Sequence, residues 1–233
     1  MTTHGSRVGL VTGGSAGLGH ALAGALVRRG WHVVTDARDP ARLALATREL
    51  TSVYPVAGDV ADPAHRRDLA DVIARLGRLD LLVNNASVLG PSPQPPLATY
   101  PLDVLAHVYA VNTLAPLALV QVLLPFLERS AGRVVDVTSD AAVEAYAGWG
   151  GYGSAKAALD HLTRVLAVEH PALRVYSFDP GDLATDLHQQ AFPGEDISDR
   201  PPAESAVPPL LRLVDGDLPS GRYRAADLSA LTA

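Results

Sequence analysis

The stretch Val8-Gly9-Leu10-Val11-Thr12-Gly13-Gly14-Ser15-Ala16-Gly17-Leu18-Gly19 decides the fold. A short apolar run, Val8–Thr12, predicts a buried strand. A glycine-rich turn follows it. A helical pattern then runs from Leu18 to Arg29 and stops at Gly30. Glycine lets a chain turn tightly, lets backbone N–H groups approach a phosphate, and lets the next helix pack close to a sheet. The spacing of Gly13, Gly17 and Gly19 is G-x-x-x-G-x-G. By itself it reads either as a plain strand–helix turn or as a pyrophosphate cradle; its place in the first strand–helix unit favours the cradle.

The same alternation continues outward. Strands are predicted at Trp31–Thr35, Val53–Ala57, Leu79–Asn84, Arg133–Thr138, Leu173–Phe178 and near Gly221–Ala225. Helices are predicted at Pro40–Leu50, Pro63–Leu76, Leu102–Arg129, Tyr152–His170 and Ala203–Val214. The segment after Pro180 reads as irregular. Strands alternating with helices predict an α/β, Rossmann-type, doubly wound parallel sheet of about seven strands, with helices on both faces and ligands beyond the carboxyl ends of the strands. No linker divides the 233 residues, so a single domain is expected, with a nucleotide-binding half over about 1–135 and a catalytic and substrate-loop part over about 136–233.

Composition narrows the function. With 19 Lys+Arg against 25 Asp+Glu the net charge is −6, which argues against a nucleic-acid partner. The absence of cysteine excludes thiolate catalysis and cysteine-ligated metals. The eight histidines show no metal-binding spacing, so no metal is expected. The N-terminus is polar, and no run approaches ~18 uninterrupted apolar residues. No membrane span and a cytoplasmic location are the expectations.

Two further places carry chemistry. The second strand ends Thr35-Asp36-Ala37-Arg38-Asp39, where the ribose of a bound adenosine would lie. An acid there binds a free 2′-hydroxyl; an arginine there accommodates a 2′-phosphate. Both types are present, and Arg38 is also open to pairing with Asp36 or Asp39. Farther on, Tyr152 and Lys156 stand four residues apart on a predicted helix and share a face. An ammonium beside a phenol lowers its pKa from about 10 and makes it a general acid or base. The Ser139 hydroxyl is placed to meet the same substrate oxygen.

Taken in order, Thr12–Gly19, Asn84-Asn85-Ala86, Asn112, Ser139, Tyr152 and Lys156 resemble the short-chain dehydrogenase/reductase family over nearly the whole chain. The resemblance implies hydride transfer between a nicotinamide and a carbonyl or secondary alcohol of a small or moderately apolar substrate. Tyr152 is then the acid/base. Lys156 holds the ribose and lowers the tyrosine pKa, Ser139 polarises the carbonyl, and Asn112 positions a proton-relaying water. Gly13, Ser15, Gly17, Leu18, Gly19, Arg38, Asp59, Val60, Asn85, Ala86, Tyr152, Lys156, Pro180, Gly181, Leu183 and Thr185 fall at the family's cofactor positions. Ala37 stands where members that use NAD carry their acid, and Arg38 stands where an arginine selects NADP. NADP(H) is therefore favoured, with NAD(H) as the alternative.

Candidate substrate walls are Val88, Gln94, Tyr146, Trp149 and His188, with Leu89 and Phe192 beside them. The resemblance also implies a homodimer through the 102–129 and 152–170 helices, with a tetramer left open. One departure stands out: the family's Asn-Asn-Ala-Gly reads Asn-Asn-Ala-Ser here, ending at Ser87. A lyase or epimerase using the same tyrosine, and a nucleotide sensor without turnover, are the competing expectations.

Of the 19 basic residues 18 are arginine; the one lysine is Lys156. A planar, permanently charged guanidinium is a poor replacement for a compact ammonium. Lys156→Arg is expected to remove most of any NADPH-coupled turnover, measured by absorbance of the reduced nicotinamide; near wild-type turnover would make the lone lysine a coincidence.

Overall fold

Seven short strands and the helices between them form one α/β unit in a computed structural model that describes residues 6–230. The strands are β1 Val8–Val11, β2 His32–Ala37, β3 Val53–Ala57, β4 Leu81–Asn84, β5 Arg133–Val137, β6 Arg174–Asp179 and β7 Gly221–Arg224. They pair in the order β3-β2-β1-β4-β5-β6-β7, all parallel. The order reverses between β1 and β4, and a ligand crevice opens beyond the strand ends there.

Alternation along each strand sends neighbouring side chains to opposite faces. Val11, Val33, Leu81, Val83, Tyr176 and Phe178 join one core with Leu22 and Leu26 of helix α1 (Gly17–Arg28). Leu10, Val34, Leu82, Val134 and Val175 join the other core, with Leu69 and Ile73 of α3 (Pro63–Leu76). Proline and aspartate set the starts of two helices. Asp39 accepts from the N–H groups of Ala41 and Arg42 at the head of α2 (Pro40–Thr47), and Asp62 accepts from Ala64 at the head of α3. Pro55, which has no N–H to give a ladder, sits in the edge strand β3.

The expected elements are present with shifted ends. β2 continues to Ala37 because Asp36 and Ala37 still pair with Val56 and Ala57. The long apolar helix at Leu102–Arg129 is continuous but not uniform. It is α4 (Leu102–Tyr109), a π-helical segment Ala110–Leu114, and α5 (Ala115–Arg129). Pro116 has no N–H for the carbonyl of Asn112 four residues earlier, so the regular ladder cannot pass that point. By length and composition this helix would also span a bilayer, with a mean hydropathy of 1.8; half of that window is buried inside the fold. Its buried apolar residues, Leu119, Val120, Leu123 and Leu127 among them, therefore build core.

Helix α6 begins at Gly150, two residues before Tyr152, and ends at Glu169. The region after Pro180 is more ordered than its composition suggests. It holds α7 (Asp186–Ala191), capped by Thr185, a 3₁₀ turn at Ala203–Ala206 leading into α8 (Val207–Asp215), and α9 (Ala225–Ala230). Two of these helices, α7 and α9, are only six residues long, too short to leave a clear periodic pattern.

Candidate active site

A cleft of about 1130 Å³ runs across the strand ends. At one end lies the glycine turn. Gly13 has φ +74° and Gly17 φ +55°, backbone that a side chain rarely adopts. A Cβ on Gly19 would come within 2.5 Å of the Gly13 carbonyl, so this helix start tolerates only glycine. The turn is clamped to β4: Thr12 Oγ1 accepts from the N–H groups of Asn85 and Ala86 at 3.0 Å each, and Asn85 Nδ2 donates to the Thr12 carbonyl at 2.8 Å. The residue before α1 is Ala16, whose side chain cannot cap the helix. The first-turn N–H groups of α1 are thus left without a side-chain acceptor and border the cleft, a donor set suited to a phosphate.

Asp36 borders the cleft, but both of its carboxylate oxygens already have partners. It is buried at 1% exposure. Its Oδ1 accepts the Gly13 N–H at 2.8 Å, and its Oδ2 meets His65 Nε2 at 2.9 Å. Asp39 is occupied capping α2. Neither carboxylate pairs with Arg38, which is exposed, lines the cleft, and makes no ion pair among the described residues. The arginine is therefore open to a phosphate. Arg42, in the first turn of α2, lines the cleft beside it and bridges to Asp186 on α7 at 2.5 Å. Residue-type patterns had not marked Arg42 or His65.

At the other end, Ser139, Tyr152 and Lys156 line the cleft together. β5 and α6 supply them. Ser139 follows β5 and caps the next turn by accepting from Ala141 N at 3.2 Å; its hydroxyl donates to Asp140 Oδ1 at 2.8 Å. Tyr152 is 6% exposed, with Trp149 edge-on at 5.9 Å. Burial holds its phenol up to about 12, and the Asp179 and Asp140 charges act in the same direction. This corrects the expectation of a lowered tyrosine pKa. Lys156 Nζ donates to the Val137 carbonyl at 2.8 Å and lies 5.6 Å from the tyrosine ring centre.

Lys156 is itself buried, which lowers its pKa to about 8 against the attraction of Asp136 and Asp160. Burial raises the Asp136 carboxyl; donors from Asn84 at 2.7 Å and Thr163 at 2.7 Å counter it. Arg222, on β7, binds Asp160, Asp179 and the Ser139 carbonyl at 2.9–3.1 Å, bracing the floor beneath the serine.

Most expected cofactor positions border the cleft: Gly13, Ser15, Gly17, Leu18, Arg38, Asp59, Val60, Asn85, Ala86, Pro180, Gly181, Leu183 and Thr185. Gly19 lies behind it, a packing residue. Asn112 is fully buried behind the wall, where its carboxamide clamps the Val88 backbone in both directions at 2.9 and 2.8 Å. Of the substrate candidates, Val88, Leu89, Trp149 and His188 line the cleft. Gln94 and Tyr146 do not. Gln94 has its backbone against Gly148, and the exposed Tyr146 hydroxyl is held by Asp140 and Glu144. Phe192 stands outside the lining and packs on Trp149 and His188. Among the described residues no cluster of metal ligands is present.

Comparison with known proteins agrees with this architecture. Residues 7–196 match the short chain dehydrogenase family model. The chain belongs to the short-chain dehydrogenase family of oxidoreductases. It is 34% identical over 217 residues to an uncharacterized oxidoreductase of Mycobacterium tuberculosis, covering 90% of this chain and 80% of that one. It is also 34% identical over 204 residues to sepiapterin reductase of Mus musculus, covering 80% and 78%. A short-chain dehydrogenase of Escherichia coli CFT073, solved in complex with NADPH, superposes with a TM-score of 0.86 at 30% identity, covering 94% and 96% of the two chains.

Removing the Asp36 carboxylate orphans the Gly13 N–H and one His65 nitrogen. Asp36→Ala is expected to cost roughly 1–3 kcal/mol, read as a fall of several degrees in the thermal midpoint. An unchanged midpoint would show that the turn holds without this tie.

Proposed function

We propose that the chain is an NADP(H)-dependent reductase acting on the carbonyl of a small or moderately apolar substrate, with Tyr152 as general acid and the reverse alcohol oxidation at higher pH. The observation that carries this reading is one continuous cleft with a phosphate-ready end, the uncapped head of α1 and the unpaired Arg38, and a proton-donating end, Tyr152 and Ser139. The solved relative with NADPH supports the cofactor.

The residues fit a dinucleotide. The head of α1 would take the pyrophosphate, Arg38 the 2′-phosphate, Lys156 the nicotinamide ribose, and Pro180, Gly181 and Thr185 the nicotinamide end. The bound cofactor supplies the hydride. The protein's own part is protonic and electrostatic. A phenol with a pKa of about 12 is protonated at neutral pH, so Tyr152 enters the reaction as an acid and gives its proton to the carbonyl oxygen as charge develops there. For Ser139 to donate to that oxygen, its hydroxyl must turn away from Asp140. Trp149, Leu89 and Val88 keep that end apolar and exclude water. His188 and Leu187, on α7, close it from above. The exposed Leu114, Val122, Val165 and Val168 on α5, α6 and the π segment support a second copy of the chain packing there.

Tyr152→Phe is expected to retain NADPH binding, followed by fluorescence, and to abolish ketone reduction; persistent reduction would overturn the role. The wild type should turn over NADPH far better than NADH, and Arg38→Ala should erase the difference. A strong preference for NADH would refute the assignment of Arg38. The pH profile has a definite sign. Lys156 is charged below about 8 and neutral above it. The reduction rate should therefore be flat at lower pH and fall as pH rises through about 8; a profile that stays flat to pH 10 would remove the ammonium from the mechanism.

A further inference from the structure

A serine hydroxyl has three hydrogen-bonding capacities, one proton and two lone pairs. At Ser139 two of them are taken. The proton goes to Asp140 Oδ1 at 2.8 Å, and one lone pair faces the Ala141 N–H at 3.2 Å. The direction of the first bond is fixed, because an ionised carboxylate only accepts. Burial works against the Asp140 charge, but donors from Ser139, Tyr146 and the Ala141 N–H outweigh it and hold the carboxyl below its usual range, so it is ionised at neutral pH. The carboxylate is itself held in place. Its Oδ1 accepts the Ala141 N–H at 2.8 Å, and its Oδ2 meets the Tyr146 hydroxyl at 3.0 Å. From the sheet, Arg222 binds the Ser139 carbonyl at 3.0 Å. Ser139 and Asp140 both line the cleft. What the serine has left for a ligand there is a lone pair.

We infer that Asp140 is a positioning residue that turns Ser139 from a hydrogen-bond donor into an acceptor, so that this end of the cleft holds the alcohol member of a carbonyl/alcohol couple in preference to the carbonyl. The inference rests on the reading of Ser139 and Tyr152 as the pair that meets the reacting oxygen. An alcohol oxygen accepts a bond and donates one. Tyr152, a phenol at neutral pH with its pKa at about 12, gives the first, and Ser139 Oγ accepts the second. A ketone oxygen only accepts. Tyr152 serves it, but Ser139 presents lone pair to lone pair. A ketone gains the serine as a second donor only after the serine proton has left a charged partner, and hydrogen bonds to charged partners are the strong ones. The Asp140 charge also acts to keep Tyr152 protonated, so both effects of this carboxylate point the same way. Tyr146 then has a part to play from outside the cleft lining: it backs the carboxylate that holds the serine proton.

The test uses the full chain and equilibrium binding, with acetophenone and 1-phenylethanol as probes. The ketone is bound with NADP+ and the alcohol with NADPH, so no hydride moves. Ser139→Ala should weaken 1-phenylethanol about tenfold, the loss of one hydrogen bond, and leave acetophenone within about twofold of the wild type. Asp140→Ala frees the serine proton. Acetophenone should then bind more tightly, and adding Ser139→Ala in that background should weaken the ketone as well. Two results overturn the inference: a Ser139→Ala change that weakens the ketone as much as the alcohol in the otherwise wild-type chain, and an Asp140→Ala change that leaves the ratio of the two affinities where it was. A readout free of any ligand is the carboxyl-carbon resonance of Asp140 in aspartate-labelled protein, identified by its loss in Asp140→Ala. Its titration midpoint should rise by about half a pH unit or more in Ser139→Ala, because a donor to the charged form is gone. An unmoved midpoint shows that the serine proton is not given to Asp140 and overturns the inference. A wild type that neither binds nor turns over these or any other carbonyl/alcohol pair overturns the reductase reading instead, while the midpoint still decides whether Asp140 holds the serine proton.

Discussion

A single ammonium, buried to 1% exposure beneath the cleft, sets the terms for the end of the cleft that holds Ser139 and Tyr152. A cation out of water must be met by acceptors and opposite charge or it will shed its proton. Lys156 is met by the Val137 carbonyl and by the fields of Asp136 and Asp160. Those acids need partners in turn. Asn84 and Thr163 serve Asp136, and Arg222 serves Asp160. The same guanidinium holds Asp179 and the Ser139 carbonyl. The ends of β4, β5, β6 and β7 and one face of α6 are thereby joined by one polar lattice, and Ser139 and Tyr152 stand on it.

The other end is organised by a comparable economy of donors. The turn after β1 has its N–H groups divided between inside and outside. That of Gly13 goes inward to Asp36, while those at the head of α1 have no side-chain cap. The inward tie holds the turn in shape; the outward groups remain for a ligand. The residue that reads in sequence as a ribose acid is in this way part of the scaffold, and the arginine two positions later is left to the solvent-facing cleft.

What was legible in the sequence was local. The glycine spacing, the four-residue step from Tyr152 to Lys156, and the strand–helix alternation each lie within a few residues, and each survives as geometry. The doubly wound parallel sheet followed from handedness and alternation. What was not legible depends on contacts between distant segments. Asp36 meets His65 across 29 positions, and Arg222 meets Ser139 across 83. The tyrosine pKa was misjudged for the same reason. Spacing placed Lys156 on the correct face, but the direction of its Nζ is set by a carbonyl on β5. Helix α7 was missed because six residues carry too little periodicity, and Tyr146 was misplaced because two carboxylates hold its hydroxyl outside the cleft.

Pro55 has a consequence for how copies of this chain can meet. It lies in β3, the outer strand on one side of the sheet, where an unpaired edge would otherwise offer a row of N–H and C=O groups to a neighbouring molecule. A residue without an N–H interrupts that row in the middle of a five-residue strand. On the far side β7 is only four residues long and turns directly into α9. The β3 margin of the sheet is in this way guarded against joining another molecule strand to strand, and the β7 margin offers only a short edge.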